Sequence, residues 1–103
     1  MRVLYVRHAV LADRPTMPKV EIYTSMFCTY CTWAKKLLER KGVPYSEIDI
    51  SMDVHKRDEM IKRAGGRMSV PQIFVGSTHV GGYDDLAALD RAGELDSLLE
   101  GAP

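Results

Sequence analysis

The sequence holds two cysteines, Cys28 and Cys31, separated by Thr29 and Tyr30. A Cys-x-x-Cys pair in a chain with no signal-peptide pattern points to redox or metal chemistry, because two sulfurs at that spacing can reach each other or share one ion. The flanks favour redox. An apolar run from Val20 to Tyr23 precedes the pair. After it, Tyr30, Trp33, Ala34, Leu37 and Leu38 recur at i, i+3, i+4, i+7 and i+8, the stripe of an amphipathic helix. Cys28 is therefore expected at a helix N-terminus, where unpaired N–H groups and the positive end of the helix dipole stabilise a thiolate, the nucleophilic form of cysteine. Cys31, about one turn further in, is expected to be more buried, less ionised and close enough to form a disulfide with Cys28. The expected roles are attacking thiol for Cys28 and resolving thiol for Cys31.

Other chemistries for the pair fit less well. Two cysteines make half of a tetrahedral zinc site, and His8, His55 and His79 show no ligand spacing that would complete it. A purely structural bridge is disfavoured because a pair at a helix start is open to thiol exchange. The wider composition narrows the partners. A chain of 103 residues supports one domain with one core. Fourteen basic and fourteen acidic residues cancel, and no basic cluster is interleaved with aromatics, so neither a nucleic acid nor a membrane is expected as partner. The opening run Met1 to Val6 is interrupted by Arg7 and His8, well short of a signal core or a membrane span. The expectation is a cytoplasmic monomer.

The elements that must position the two sulfurs follow from the pattern. Residues 1–16 stand outside it and read as an N-terminal appendage, with the domain at 17–103; Val3 to Val6 is a candidate extra edge strand or partner contact. Tyr5-Val6-Arg7-His8-Ala9 is similar to the opening Arg-His motif of histidine phosphatases, but that fold needs a longer chain and further catalytic residues absent here. Val20 to Tyr23 is the first strand. The helix after the cysteines stops at Lys41-Gly42-Val43-Pro44. Its charged run, Lys35 to Lys41, reads as a solvated face with a Lys35/Glu39 pair. Tyr45 to Ile50 reads as a half-buried strand. A second helix, capped by Ser51 or Asp53, runs to about Ala64, with Val54, Ile61 and Ala64 inward and Met60 and Met68 filling gaps beside it. Ile73 to Val75 and Thr78 to Val80 flank Gly76-Ser77, the pattern of a two-residue hairpin. Gly81-Gly82-Tyr83-Asp84-Asp85 opens a third helix bearing Leu86 and Leu89, and Leu95, Leu98 and Leu99 mark a short last one. The order predicts an α/β fold with a central four-stranded mixed sheet flanked by helices.

With Cys-x-x-Cys opening the first helix, Val70-Pro71 before the third strand and Gly-Gly-x-Asp-Asp after the fourth, the sequence from about Lys19 to Leu99 resembles the glutaredoxins of the thioredoxin superfamily, closest to the short bacterial dithiol type. The resemblance implies a thioredoxin-like fold and a thiol-disulfide oxidoreductase whose co-substrate is glutathione, with glutathionylated or disulfide-containing proteins as partners and no metal or flavin cofactor. It implies a cis Pro71 that sets the Val70 backbone beside the sulfurs to pair with the extended glutathione peptide. It also implies that the N–H groups of Tyr83 and Asp84 receive the γ-glutamyl carboxylate, and that Asp85 takes the ammonium. Tyr30 has a phenol within reach of the ligand and a ring on the apolar stripe; contact and packing both stay open.

Three positions depart from that pattern. Thr29 stands where dithiol members usually have proline, Ser25 where many have a lysine for the ligand's glycine carboxylate, and Trp33 where relatives often have a polar residue. Lys19, Arg57 and Arg67 are candidates to replace the missing charge. The loss of proline keeps a second expectation in view, a dimer sharing an iron-sulfur cluster held by Cys28 of each chain and by glutathione thiolates.

Overall fold

The computed structural model describes residues 18–101. The expectations for residues 1–16, the appendage and its candidate strand, fall outside the described residues. Along the chain run β1 (Val20–Thr24), α1 (Thr29–Arg40), β2 (Ser46–Asp49), α2 (Val54–Arg63), β3 (Gln72–Val75), β4 (Thr78–Gly81), α3 (Tyr83–Arg91) and α4 (Leu95–Glu100). The strands form one sheet in the order β2-β1-β3-β4. β1 runs parallel to β2 and antiparallel to β3, and β3 pairs antiparallel with β4 across the Gly76-Ser77 turn. Gly76 takes a φ of 61°, which only a residue without a Cβ adopts freely in such a turn. This is the predicted mixed sheet.

Alternation along the central strands splits the core in two. Val20 and Ile22 of β1 with Ile73 and Val75 of β3 face α1, α3 and α4, meeting Ala34, Leu37, Leu38, Leu86, Leu95 and Leu99. Tyr23 and Phe74 point the other way, against Met60 and Ala64 of the α2 side and Ile50. Because helices cover both faces, the central strands read as nearly continuous apolar runs. The stretch holding β2, at an edge, is half-buried as its sequence suggests. Tyr45 joins the first cluster and Ile48 and Ile50 the second, so the strand is dipped into both layers by its two ends.

Several expectations about side-chain direction are corrected. Tyr30, for which contact and packing both stood open, is 54% exposed and Trp33 47%, while Cys31 is buried as expected, at 2% exposure. Val54 and Met68 are exposed, while Met60 is fully buried as expected. Val54 is the first residue of α2, just after its cap Asp53, whose side chain accepts from the Lys56 N–H. There the helix has not yet reached the core. Lys35 pairs with Glu47 across to β2 at 3.0 Å, and Glu39 accepts from the Tyr45 hydroxyl, so the expected Lys35/Glu39 pair does not form.

Candidate active site

Cys28 is itself the N-cap residue of α1, with extended backbone angles of −111° and 104°. Its Sγ accepts a hydrogen bond from the backbone N–H of Cys31 at 3.0 Å, doing with sulfur what serine or aspartate does with oxygen at other helix starts. The two cysteines are joined in a disulfide with their Cα atoms 5.2 Å apart. Cys28 is partly accessible and Cys31 is buried, the asymmetry expected of an attacked and a sheltered sulfur. Just before them, Phe27 is fully exposed at a positive φ of 57°, a conformation that a bulky side chain rarely adopts.

Facing this helix start is the loop that enters β3. The Val70–Pro71 peptide is cis, and the Val70 carbonyl oxygen lies 3.9 Å from Cys28 Sγ. Gln72, next in the chain and fully buried, donates from Nε2 to the carbonyl and hydroxyl of Ser69 at 3.0 and 3.3 Å.

The third side of the site is the end of β4 and the start of α3. Gly81 has a φ of 115°, which favours glycine, and a Cβ placed there would come within 2.8 Å of Asp85 Cγ and 2.9 Å of Arg67 Nη1, so it would push the Asp85–Arg67 pair aside. Asp85 folds back to accept from the Gly82 N–H at 2.9 Å and from Arg67 Nη1 at 3.2 Å. The Gly82 hydrogen bond, helped by the Arg67 charge, holds the Asp85 carboxyl below the usual carboxylate range. Tyr83 and Asp84 are the first two residues of α3, where backbone N–H groups have no acceptor within the helix and the dipole favours an anion.

These elements enclose a cleft of about 240 Å³ lined by Tyr30, Val70, Pro71, Tyr83, Asp84 and Asp85, the six positions singled out in the sequence for ligand binding, together with Arg67, Ser69 and Gly82. Of the three candidate cations, Arg67 alone lines it. Lys19 pairs with Glu21 at 3.8 Å at the start of β1, and Arg57 reaches Met68 Sδ at 3.9 Å. Tyr30 stacks on Tyr83 with centroids 6.1 Å apart and borders the cleft, and Trp33 packs edge-on against Tyr30 at 5.3 Å from outside it. Sequence reasoning missed Gln72, Ser69 and the Asp85–Arg67 pair. The signal for Gln72 was present, a lone amide opening an otherwise apolar strand.

Chemically, the arrangement presents an accessible sulfur at a helix N-terminus, a peptide edge beside it, and a cleft that offers N–H donors, a carboxylate and a guanidinium. Such a set suits a short zwitterionic peptide bearing sulfur. Among the described residues no three His, Cys, Asp or Glu side chains are grouped to hold a metal ion, and no helix is long and apolar enough to cross a membrane.

Comparison with known proteins gives consistent results. Residues 20–80 match the family model described as Glutaredoxin. The chain is 54% identical over 83 residues to a glutaredoxin of Pseudomonas aeruginosa, an alignment covering 81% of this chain and 98% of that protein. It is 55% identical over 84 residues to glutaredoxin 3 of Escherichia coli (strain K12), covering 82% and 100%. The solution structure of glutaredoxin from Brucella melitensis matches with a TM-score of 0.75 at 52% identity, covering 85% of this chain and 95% of that one.

Proposed function

The chain belongs to the glutaredoxin family and is a thiol-disulfide oxidoreductase; from that premise we propose that glutathione is its reductant and that protein–glutathione mixed disulfides and protein disulfides are its substrates. The observation that carries this reading is the placement of Cys28 as the N-cap of α1, its sulfur accepting the Cys31 N–H and lying 3.9 Å from the Val70 carbonyl oxygen. The N–H bond and the helix dipole favour the anionic form of that sulfur once the disulfide is reduced.

For a glutathionylated protein, the Cys28 thiolate attacks the sulfur of the glutathionyl group. A Cys28–glutathione disulfide forms, the S–S bond between the glutathionyl sulfur and the substrate's cysteine breaks, and the substrate leaves as a thiolate that takes up a proton. A second glutathione thiolate then attacks the same glutathionyl sulfur, releasing oxidised glutathione and regenerating Cys28. For a protein disulfide, Cys28 forms a mixed disulfide with the substrate and Cys31 attacks Cys28 Sγ, releasing the dithiol and leaving the Cys28–Cys31 disulfide for two glutathione molecules to reduce.

In the cleft, glutathione lies extended along the Val70 backbone. Its γ-glutamyl carboxylate meets the N–H groups of Tyr83 and Asp84, its ammonium meets Asp85, and Arg67 supplies the cation that Ser25 does not. Binding exchanges the Asp85–Arg67 contact for contacts to the ligand's two charged ends. No metal or flavin takes part, and the protein works as a monomer in the cytoplasm. The domain is 17–103, so a chain beginning at Met17 keeps full turnover.

The test is glutathione-coupled reduction of a glutathionylated peptide. Cys28→Ser is expected to abolish turnover and Cys31→Ser to keep it. Turnover that survives Cys28→Ser, or an intact protein inactive at ample glutathione, overturns the reading.

A further inference from the structure

A fully buried amide needs partners, and the partners fix which end is which. The Gln72 nitrogen faces the Ser69 carbonyl, which can only accept, so the opposite end, Oε1, is an acceptor and lies 2.7 Å from His79 Nε2. His79 must therefore carry its proton on Nε2. The ring lies on β4, stacked on Phe74 with centroids 4.8 Å apart and planes 23° apart. Burial, helped by the Arg67 charge, holds its pKa below the ordinary histidine value, against the opposing pull of Asp85, so the neutral Nε2–H form prevails near pH 7. Nothing in the thiol chemistry uses this residue.

We propose that His79 is a positioning residue for the reaction, acting through Gln72 to fix the Ser69 peptide and with it the Val70 backbone that pairs with the bound glutathione chain. The contacts are continuous: His79 Nε2–H to Gln72 Oε1, Gln72 Nε2–H to Ser69 O, one peptide to Val70, and the Val70 carbonyl opposite Cys28 Sγ. Neither His79 nor Gln72 touches the sulfurs. Without the His79 donor, Gln72 Oε1 is left unpaired in the interior, and the amide is expected to turn towards water and release Ser69. The cost falls on recognition rather than on sulfur chemistry. This inference rests on the glutathione reading above.

His79→Phe keeps the stack on Phe74 and removes the donor. It is expected to raise KM for a glutathionylated peptide by about three- to tenfold with kcat changed by less than about twofold. His79→Gln, which restores a donor, recovers most of the loss. Gln72→Leu gives a similar KM defect, and the double variant His79→Phe/Gln72→Leu is no worse than either alone, because both remove one contact chain. A folded His79→Phe protein with unchanged KM overturns the proposal. Nitrogen-15 NMR of the unaltered protein tests the contact independently of any variant's folding. A His79 ring protonated on Nε2 near pH 7 supports it, and a proton on Nδ1 alone contradicts it. Should the unaltered protein show no glutathione-dependent turnover, the functional reading fails instead, and the NMR result still decides the contact.

Discussion

The two walls of the cleft are held in opposite ways. The helix wall, Tyr30 with its neighbours Phe27, Cys28 and Trp33, stands largely in solvent, and Phe27 sits in a backbone conformation that opposes folding. The wall formed by the Ser69–Gln72 loop and the Gly81–Asp85 turn is tied by hydrogen bonds at Ser69, Gln72, Gly82 and Asp85. The difference follows from the work each wall does. A sulfur that must be attacked from outside cannot be buried, whereas recognition of a peptide backbone depends on donors and acceptors held to within fractions of an ångström. Changes on the first wall should therefore alter chemistry with little effect on stability, and changes on the second should alter binding and stability together.

Gly81→Val tests the second wall hardest. The positive φ and the crowding against Asp85 and Arg67 predict a loss of about 1–3 kcal/mol in urea unfolding, with KM for glutathionylated peptide raised more than tenfold. A Gly81→Val protein of normal stability and normal KM would break the contrast between the walls.

Asp85→Asn is next. It removes the charge but keeps the shape, and KM is expected to rise about three- to tenfold with kcat nearly constant. The pH dependence has a definite sign. Asp85 has its folded pKa lowered, so its stabilising contacts are fully present above the ordinary aspartate pKa and are lost as pH falls through the folded value. The Asp85 contribution to KM should accordingly stay flat from neutral pH down to about pH 4, near the reference aspartate value, and disappear only below it. A contribution already falling between pH 6 and 5 would contradict the Gly82 and Arg67 contacts.

The smallest effect belongs to the first wall. Phe27→Gly removes no packing and relieves the positive φ, offset by the greater freedom of glycine in the unfolded chain, so stability should change by less than about 1 kcal/mol and in the favourable direction. Thermal unfolding checks it. A clear loss of stability would mean that Phe27 has a structural role which its full exposure does not reveal.

Much of the fold could be read from the sequence because its signals are local. The apolar run of β1, the Gly76-Ser77 hairpin and the positions of all four helices each depend on residues close together in the chain. The Cys28 cap was legible for the same reason. The errors came where position in the sheet overrides periodicity. Tyr30 and Trp33 continue the α1 stripe in sequence, which left contact and packing open for Tyr30; both rings stand about half exposed against Tyr83, while Cys31 in the same turn is buried. Val54, read as inward, is exposed because it is the first residue of α2, ahead of the helix's buried positions. The links between Gln72 and His79 and between Arg67 and Asp85 join residues that only tertiary packing brings together, and no spacing rule connects them. Arg67 was one of three cations that the sequence left equal, and only the cleft distinguishes it.

The central claim, that Cys28 alone takes the glutathionyl group, is tested most directly by intact-mass measurement of the Cys31→Ser protein after brief exposure to a glutathionylated peptide. A gain of one glutathionyl group is expected, located by peptide mapping on Cys28 and removed by added glutathione with release of oxidised glutathione. An unmodified protein, or a glutathionyl group acquired equally well by Cys31 in the Cys28→Ser variant, would contradict it.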